Sequence, residues 1–183
     1  MALRDDLDRV ARAAAALAEP GEELAGVVAA EPAPGVRTYL CAYNRGEERS
    51  WLVLDEAGEP VTDKARVRRT ASIIGLSELA EENAGGGELD ELRERLVTLR
   101  LTESPPGIEE AEAAALELER TVGAPPRVAE PAYLDRVGAA TRRLEQALGD
   151  SAMSPFAEAM KRGMASVEEL ERDVVANYRL PLG

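Results

Sequence analysis

Apolar residues recur every three to four positions at the start of the chain: Leu3, Leu7, Val10, Ala14 and Leu17, with Asp and Arg filling the opposite face. That spacing predicts an amphipathic helix over residues 3–18, stopped by Glu19-Pro20-Gly21. Leu24 to Ala30 is short, apolar and interrupted by glycine, which fits a strand or a helical turn equally, and Pro32 and Pro34 end it. The period then changes to two. Val36 to Tyr43 and Ser50 to Asp55 are rich in β-formers, and Asn44 to Glu48, with Gly46, has the length of a hairpin turn. Alternation places Tyr39, Cys41 and Tyr43 on one face and Thr38, Leu40 and Ala42 on the other, and divides Trp51 and Val53 from Leu52 and Leu54. Both faces are apolar, and a bare two-stranded hairpin is marginal in water. One face should therefore carry a helix, and the other more protein or a partner.

Helical periodicity returns after the turn at residues 55–60. Residues 63–83 follow an Asp63 cap and stop before Gly85-Gly86-Gly87, which reads as an interhelical linker. Leu89, Leu92, Leu96 and Leu99 mark a second long helix. Ile108, Ala111, Ala115, Leu118 and Val122 mark a third, and Leu134, Val137, Leu144 and Leu148 a fourth. Breaks fall at Pro105-Pro106-Gly107 and at Pro125-Pro126. Phe156, Met160 and Met164 predict a short helix capped by Ser154 with Pro155 in first position. Ser166, with Glu169 three residues on, predicts the start of a last helix faced by Val167, Leu170, Val174 and Tyr178. The expected fold is α+β and predominantly helical: a small antiparallel β-hairpin or meander packed on helices, with a C-terminal helical bundle. The expected organisation is a mixed helix/β-hairpin/helix unit over residues 1–104 and a helical unit over 105–183, packed together as one compact domain.

Composition narrows the chemistry. The 183 residues include no histidine and one cysteine, Cys41, and only 3% are aromatic, so the core must be aliphatic and Ala-rich. The net charge is −13, and it is spread over both parts: residues 1–104 hold 21 acids against 13 bases, and residues 105–183 hold 14 against 9. That balance disfavours nucleic acid and anionic membrane, which need a basic face. Arginine outnumbers lysine heavily, as in GC-rich bacterial coding. Three aspartates in the first eight residues speak against a secretory leader, and no run approaches the roughly 20 apolar residues of a membrane span, so the expected location is the cytoplasm.

Without histidine there is no Ser-His-Asp triad, no Cys-His pair and no histidine metal ligand. No phosphate-binding glycine motif is present, and no cofactor is implied. Glu78/Glu81 and Glu91/Glu94 share the Glu-x-x-Glu spacing of a helical Mg²⁺ site, although the usual second half on a following helix is missing, and a solvated face accounts for them. Lys64, Arg66, Arg68 and Arg69 form the one dense basic cluster, at a helix start where cations oppose the dipole; they could meet a small anion or an acidic partner. The following Ala71…Gly75-Leu76-Ser77 run looks like the middle of a helix-turn-helix, but Glu81 stands where an apolar residue should point inward. Tyr39, Tyr43 and Trp51 concentrate scarce aromatics on one hairpin and are candidate binding residues.

Three functions compete. The first is a non-enzymatic interaction or adaptor protein, paired with itself as a homo-oligomer or with another protein. The second is a small-molecule-binding regulatory domain with a pocket between the hairpin and helix 63–83. The third is a Mg²⁺-dependent phosphohydrolase using helical glutamates.

Overall fold

Helix α1 (Ala2–Ala16) forms on the predicted apolar stripe, with Val10 and Ala14 fully buried one turn apart. The computed structural model describes residues 2–85, 88–126 and 128–183. The ambiguous segment after α1 is a strand, β1 (Glu23–Ala33), which joins β2 (Val36–Arg45) and β3 (Glu48–Leu54) in an antiparallel meander of order β1-β2-β3. Register supplies the reason: Val27, Ala29 and Leu24 stand opposite Cys41, Tyr39 and Tyr43, so β1 extends an apolar face that two strands could not complete. Gly46, at φ 61, is the first residue of the two-residue β2–β3 loop, the conformation a type II′ hairpin turn requires.

Both faces of the sheet are covered. Tyr39, Cys41, Tyr43, Leu52 and Leu54 pack with Val10 and Ala14 of α1. On the other face the Thr38 hydroxyl meets that of Thr70 at 2.9 Å, on helix α2 (Lys64–Gly85). The Trp51 indole there donates to Asp173 at 2.8 Å, on helix α6 (Asp150–Ala176). Both sheet edges also carry backbone bonds. Glu31 N–H donates to the Ala129 carbonyl at 2.7 Å beside β1, while beside β3 Trp51 N–H donates to the Asn177 carbonyl and Arg179 N–H to that of Trp51, both at 3.1 Å.

Asp63 caps α2 as predicted, its carboxylate accepting from the Arg66 N–H at 2.7 Å. Gly75 lies inside α2 without a break, so Ala71–Ser77 is not the turn of a helix-turn-helix. Helices α3 (Glu88–Thr102), α4 (Ile108–Val122) and α5 (Pro131–Leu148) match the three long apolar periodicities. Gly107, at φ 87, closes the α3–α4 connection; a Cβ there would stand 2.6 Å from the Ala147 carbonyl oxygen.

The last two predicted helices are one. Helix α6 runs through Ser166, whose hydroxyl donates to the Arg162 carbonyl at 3.3 Å rather than capping a helix end. A serine satisfied by the carbonyl four residues back needs no helix terminus, so the Ser-x-x-Glu pattern is not a start signal here. The side chains of Ser154, Pro155, Phe156 and Met160, and residues Gly86 and Gly87, lie outside the described residues.

The chain forms two compact units, each built from separated segments. The meander unit comprises the chain up to Gly75 with Val128–Pro131 and Val167–Gly183; the helical unit comprises Leu76–Arg127 and Ala132–Ser166. The helical unit has its own core, in which Leu92, Leu96, Leu118, Val137 and Leu144 pack with Ala111, Ala114, Ala115 and Ala140. Each fully buried Leu or Val is worth about 1.5–3 kcal/mol, and the alanines allow the helix axes to approach closely.

Candidate binding site

The three hairpin aromatics are divided by the sheet. Tyr39 and Tyr43 share the α1 face, both fully buried; the Tyr43 hydroxyl donates to the Ala14 carbonyl at 2.8 Å, and burial pushes its ionisation above the usual range. Trp51 lies on the opposite face and is held by Asp173. Cys41 is buried, and desolvation pushes its thiol up to about 12, so it is a small hydrophobe in this setting. Lys64, Arg66, Arg68 and Arg69 occupy the first two turns of α2; Lys64 and Arg69 are exposed, Arg68 stands 3.6 Å from Glu171, and Arg66 is half-buried with its Nε unpartnered.

A polar groove of about 660 Å³ opens in the meander unit, lined in part by Glu22, Arg45, Ser50, Asp173 and Arg179. Its charges are largely engaged by the protein itself. Arg179 donates to the Leu17 carbonyl at 2.8 Å, pairs with Glu19 at 3.2 Å and Glu22 at 3.4 Å, and lies over the Tyr43 ring at 4.8 Å. Arg45 pairs with Glu19 at 3.0 Å, and hydrogen bonds from Arg179 first and Arg45 second hold the Glu19 carboxyl below its ordinary range.

The helical unit contains a different kind of space, a cavity of about 310 Å³. Its walls are Leu76, Leu79 and Ala80 from α2, Leu89 from α3, Leu118 and Val122 from α4, Leu134 and Val137 from α5, and Met164 from α6. Its shape follows from two glycines. Leu134, Gly138, Thr141 and Glu145 recur at helical spacing along one side of α5, and Gly138 is the gap in that stripe. At Gly163 of α6 there is no gap: a Cβ would stand 1.9 Å from Leu79 Cδ1, so the leucine already fills the glycine's place.

Thr141, Arg142 and Glu145 supply the polar part of the lining. The Thr141 hydroxyl donates to the Val137 carbonyl at 2.9 Å, which leaves its lone pairs free to accept. Arg142 folds back over Gly138, its guanidinium 3.4 Å from where a Cβ would be. Among the described residues, neither Arg142 nor Glu145 makes an ion pair. Glu78 and Glu81 lie on α2 and Glu91 and Glu94 on α3, and among the described residues no group of three or more acids or cysteines is placed to hold a metal ion. Among them, too, no helix is long and apolar enough to cross a membrane.

Leu89, Leu118, Val122, Leu134, Val137 and Met164 were legible from sequence as inner helix faces, and none of the cavity residues as part of a binding site. The available signal was Gly138, a mid-helix glycine flanked by Leu134 and Thr141 on one stripe, where alanine would favour helix by up to about 1 kcal/mol. The chain matches no protein-family model, and neither a curated protein nor a solved structure matches it.

Proposed function

We propose that this protein acts by binding, and that its helical unit holds a small apolar molecule with one polar end. The observation that carries this is the 310 Å³ cavity with predominantly apolar walls and the Thr141, Arg142 and Glu145 side chains at one side. Ligand sites have this composition: apolar walls for affinity, with a few polar groups that fix orientation. At about 30 Å³ per small-molecule heavy atom, taken from the share of a water, the volume fits about ten non-hydrogen atoms. At about 0.5 kcal/mol per atom such a ligand binds with about 5 kcal/mol, a Kd of a few hundred micromolar. On this reading the small-molecule site lies within the helical unit and not between the hairpin and helix 63–83. The absence of histidine from the whole sequence supports binding over acid–base or nucleophilic chemistry that relies on imidazole.

Calorimetric titration with octanoate and with indole tests it. Saturable binding is expected, and Gly138→Leu, which puts a side chain into the gap beside a movable arginine, should weaken it at least tenfold. Binding of neither probe, or equal binding by the variant, would overturn the proposal.

A further inference from the structure

Helices α3 and α4 run side by side and carry the same motif with opposite charge. On α3 it is Arg93, Val97 and Arg100; on α4 it is Glu112, Leu116 and Glu119. The helices are antiparallel, with Arg93 paired to Glu119 at 3.1 Å at one level and Arg100 paired to Glu112 at the other. Val97 and Leu116 therefore fall at nearly the same height, between the two ion pairs. Both are exposed, at 56% and 46%, and Leu101, one turn on from Val97, is 80% exposed. Scattered exposed apolar residues are ordinary, but an apolar centre flanked by ordered charges is the anatomy of an interface.

The occupant follows from the arrangement of charge. On α3 Val97 is flanked by Arg93 and Arg100, with Asp90 3.9 Å from Arg93 at the outer end, and on α4 Leu116 is flanked by Glu112 and Glu119. A two-fold axis parallel to the helices sets α3 of one copy over α4 of the next. Arg93 and Arg100 then face Glu119 and Glu112 of the second copy, and Val97 faces Leu116, at both halves of the contact. An isologous interface requires such self-complementarity. We infer that this face binds a second copy of the same chain. A strip about 22 Å long and two helices wide is about half of what a standard interface buries per partner, so the dimer is weak and reversible. Its charged flanks make it weaken with salt.

Sedimentation velocity of the full chain, from low micromolar to submillimolar concentration, should show a monomer–dimer equilibrium that shifts toward monomer at high salt. Leu116→Asp, at an exposed position, should weaken dimerisation at least tenfold with an unchanged circular dichroism spectrum. Reversing the arginines (Arg93→Glu with Arg100→Glu) should abolish the dimer by setting like charges against each other. Adding Glu112→Arg and Glu119→Arg should restore it. A monomer at every concentration, or a dimer indifferent to Leu116→Asp, would overturn the inference. Mixing the Arg93→Glu/Arg100→Glu chain with a Glu112→Arg/Glu119→Arg chain should also restore a dimer, which repair of the intrachain Arg93–Glu119 and Arg100–Glu112 pairs cannot produce, because both pairs stay broken in each chain.

Discussion

The meander unit and the helical unit bury apolar surface with different side chains, and on the proposed reading the difference separates scaffold from site. In the meander unit the large side chains end in polar atoms that are mostly tied down: Tyr43 to Ala14, Trp51 to Asp173, and Tyr178 to the backbone of Val53 and Val61. Many of these bonds join residues far apart in sequence, so they fix one arrangement. In the helical unit the core is mostly aliphatic and Ala-rich, with Tyr133 buried in it, its ion pairs are on the surface, and it retains a cavity beside an arginine and a glutamate, Arg142 and Glu145, that make no ion pair among the described residues. A unit whose polar groups bond to one another has little left to offer a ligand; one that keeps a gap does.

The largest expected effect is at Arg179. Arg179→Ala should destabilise by about 3 kcal/mol, read from thermal or urea unfolding monitored at the single Trp51, because it leaves the carboxylate of Glu22, 7% exposed, with only the more distant Arg45, at 3.9 Å, to balance it. A loss below about 1 kcal/mol would mean that the network contributes no more than a surface pair. The two glycines facing the helical unit's interior should respond with opposite signs. Gly163→Ala should cost about 1–3 kcal/mol, since its Cβ collides with Leu79. Gly138→Ala should gain about 0.5–1 kcal/mol from helix propensity while narrowing the cavity. Equal effects would mean that the gap along α5 is not real.

The smallest effect is at Glu78, whose carboxyl is pushed above its ordinary range first by burial, then by Glu82 and Glu81. A carboxyl raised in the folded state costs stability at pH values above its folded pKa. That cost disappears as the pH falls from the raised value through the ordinary 4.5. Glu78→Gln should therefore stabilise by about 0.2–0.5 kcal/mol at neutral pH and by nothing in acid. A gain that persisted at low pH would point to packing rather than charge.

The fold class was legible in sequence because period-two and helical stretches are cleanly separated: Val36–Tyr43 and Ser50–Asp55 read as strands, and the leucine series of α3, α4 and α5 as helices. Residues 24–30 were ambiguous alone because Gly26 and several alanines carry little β signal, and pairing with β2 decides them. Ser166 misled because capping chemistry and mid-helix back-bonding use the same hydroxyl. The hairpin aromatics were visible, but not that Trp51 faces away from Tyr39 and Tyr43. The cavity was hidden because its walls come from five helices, and no local pattern states which leucines leave a space between them. The Arg93–Val97–Arg100 and Glu112–Leu116–Glu119 motifs were in plain view, but their relation requires the antiparallel register of α3 and α4.

The backbone bonds that flank the sheet have a consequence for how this chain can be recognised. Glu31 and Trp51 point their N–H groups at carbonyls of the chain's own Ala129 and Asn177. At those positions an incoming extended peptide finds no donor to pair with, and neither does the strand of a misfolded neighbour. Growth of the meander by strand addition, the common route to both β-type recognition and fibril templating, is blocked there.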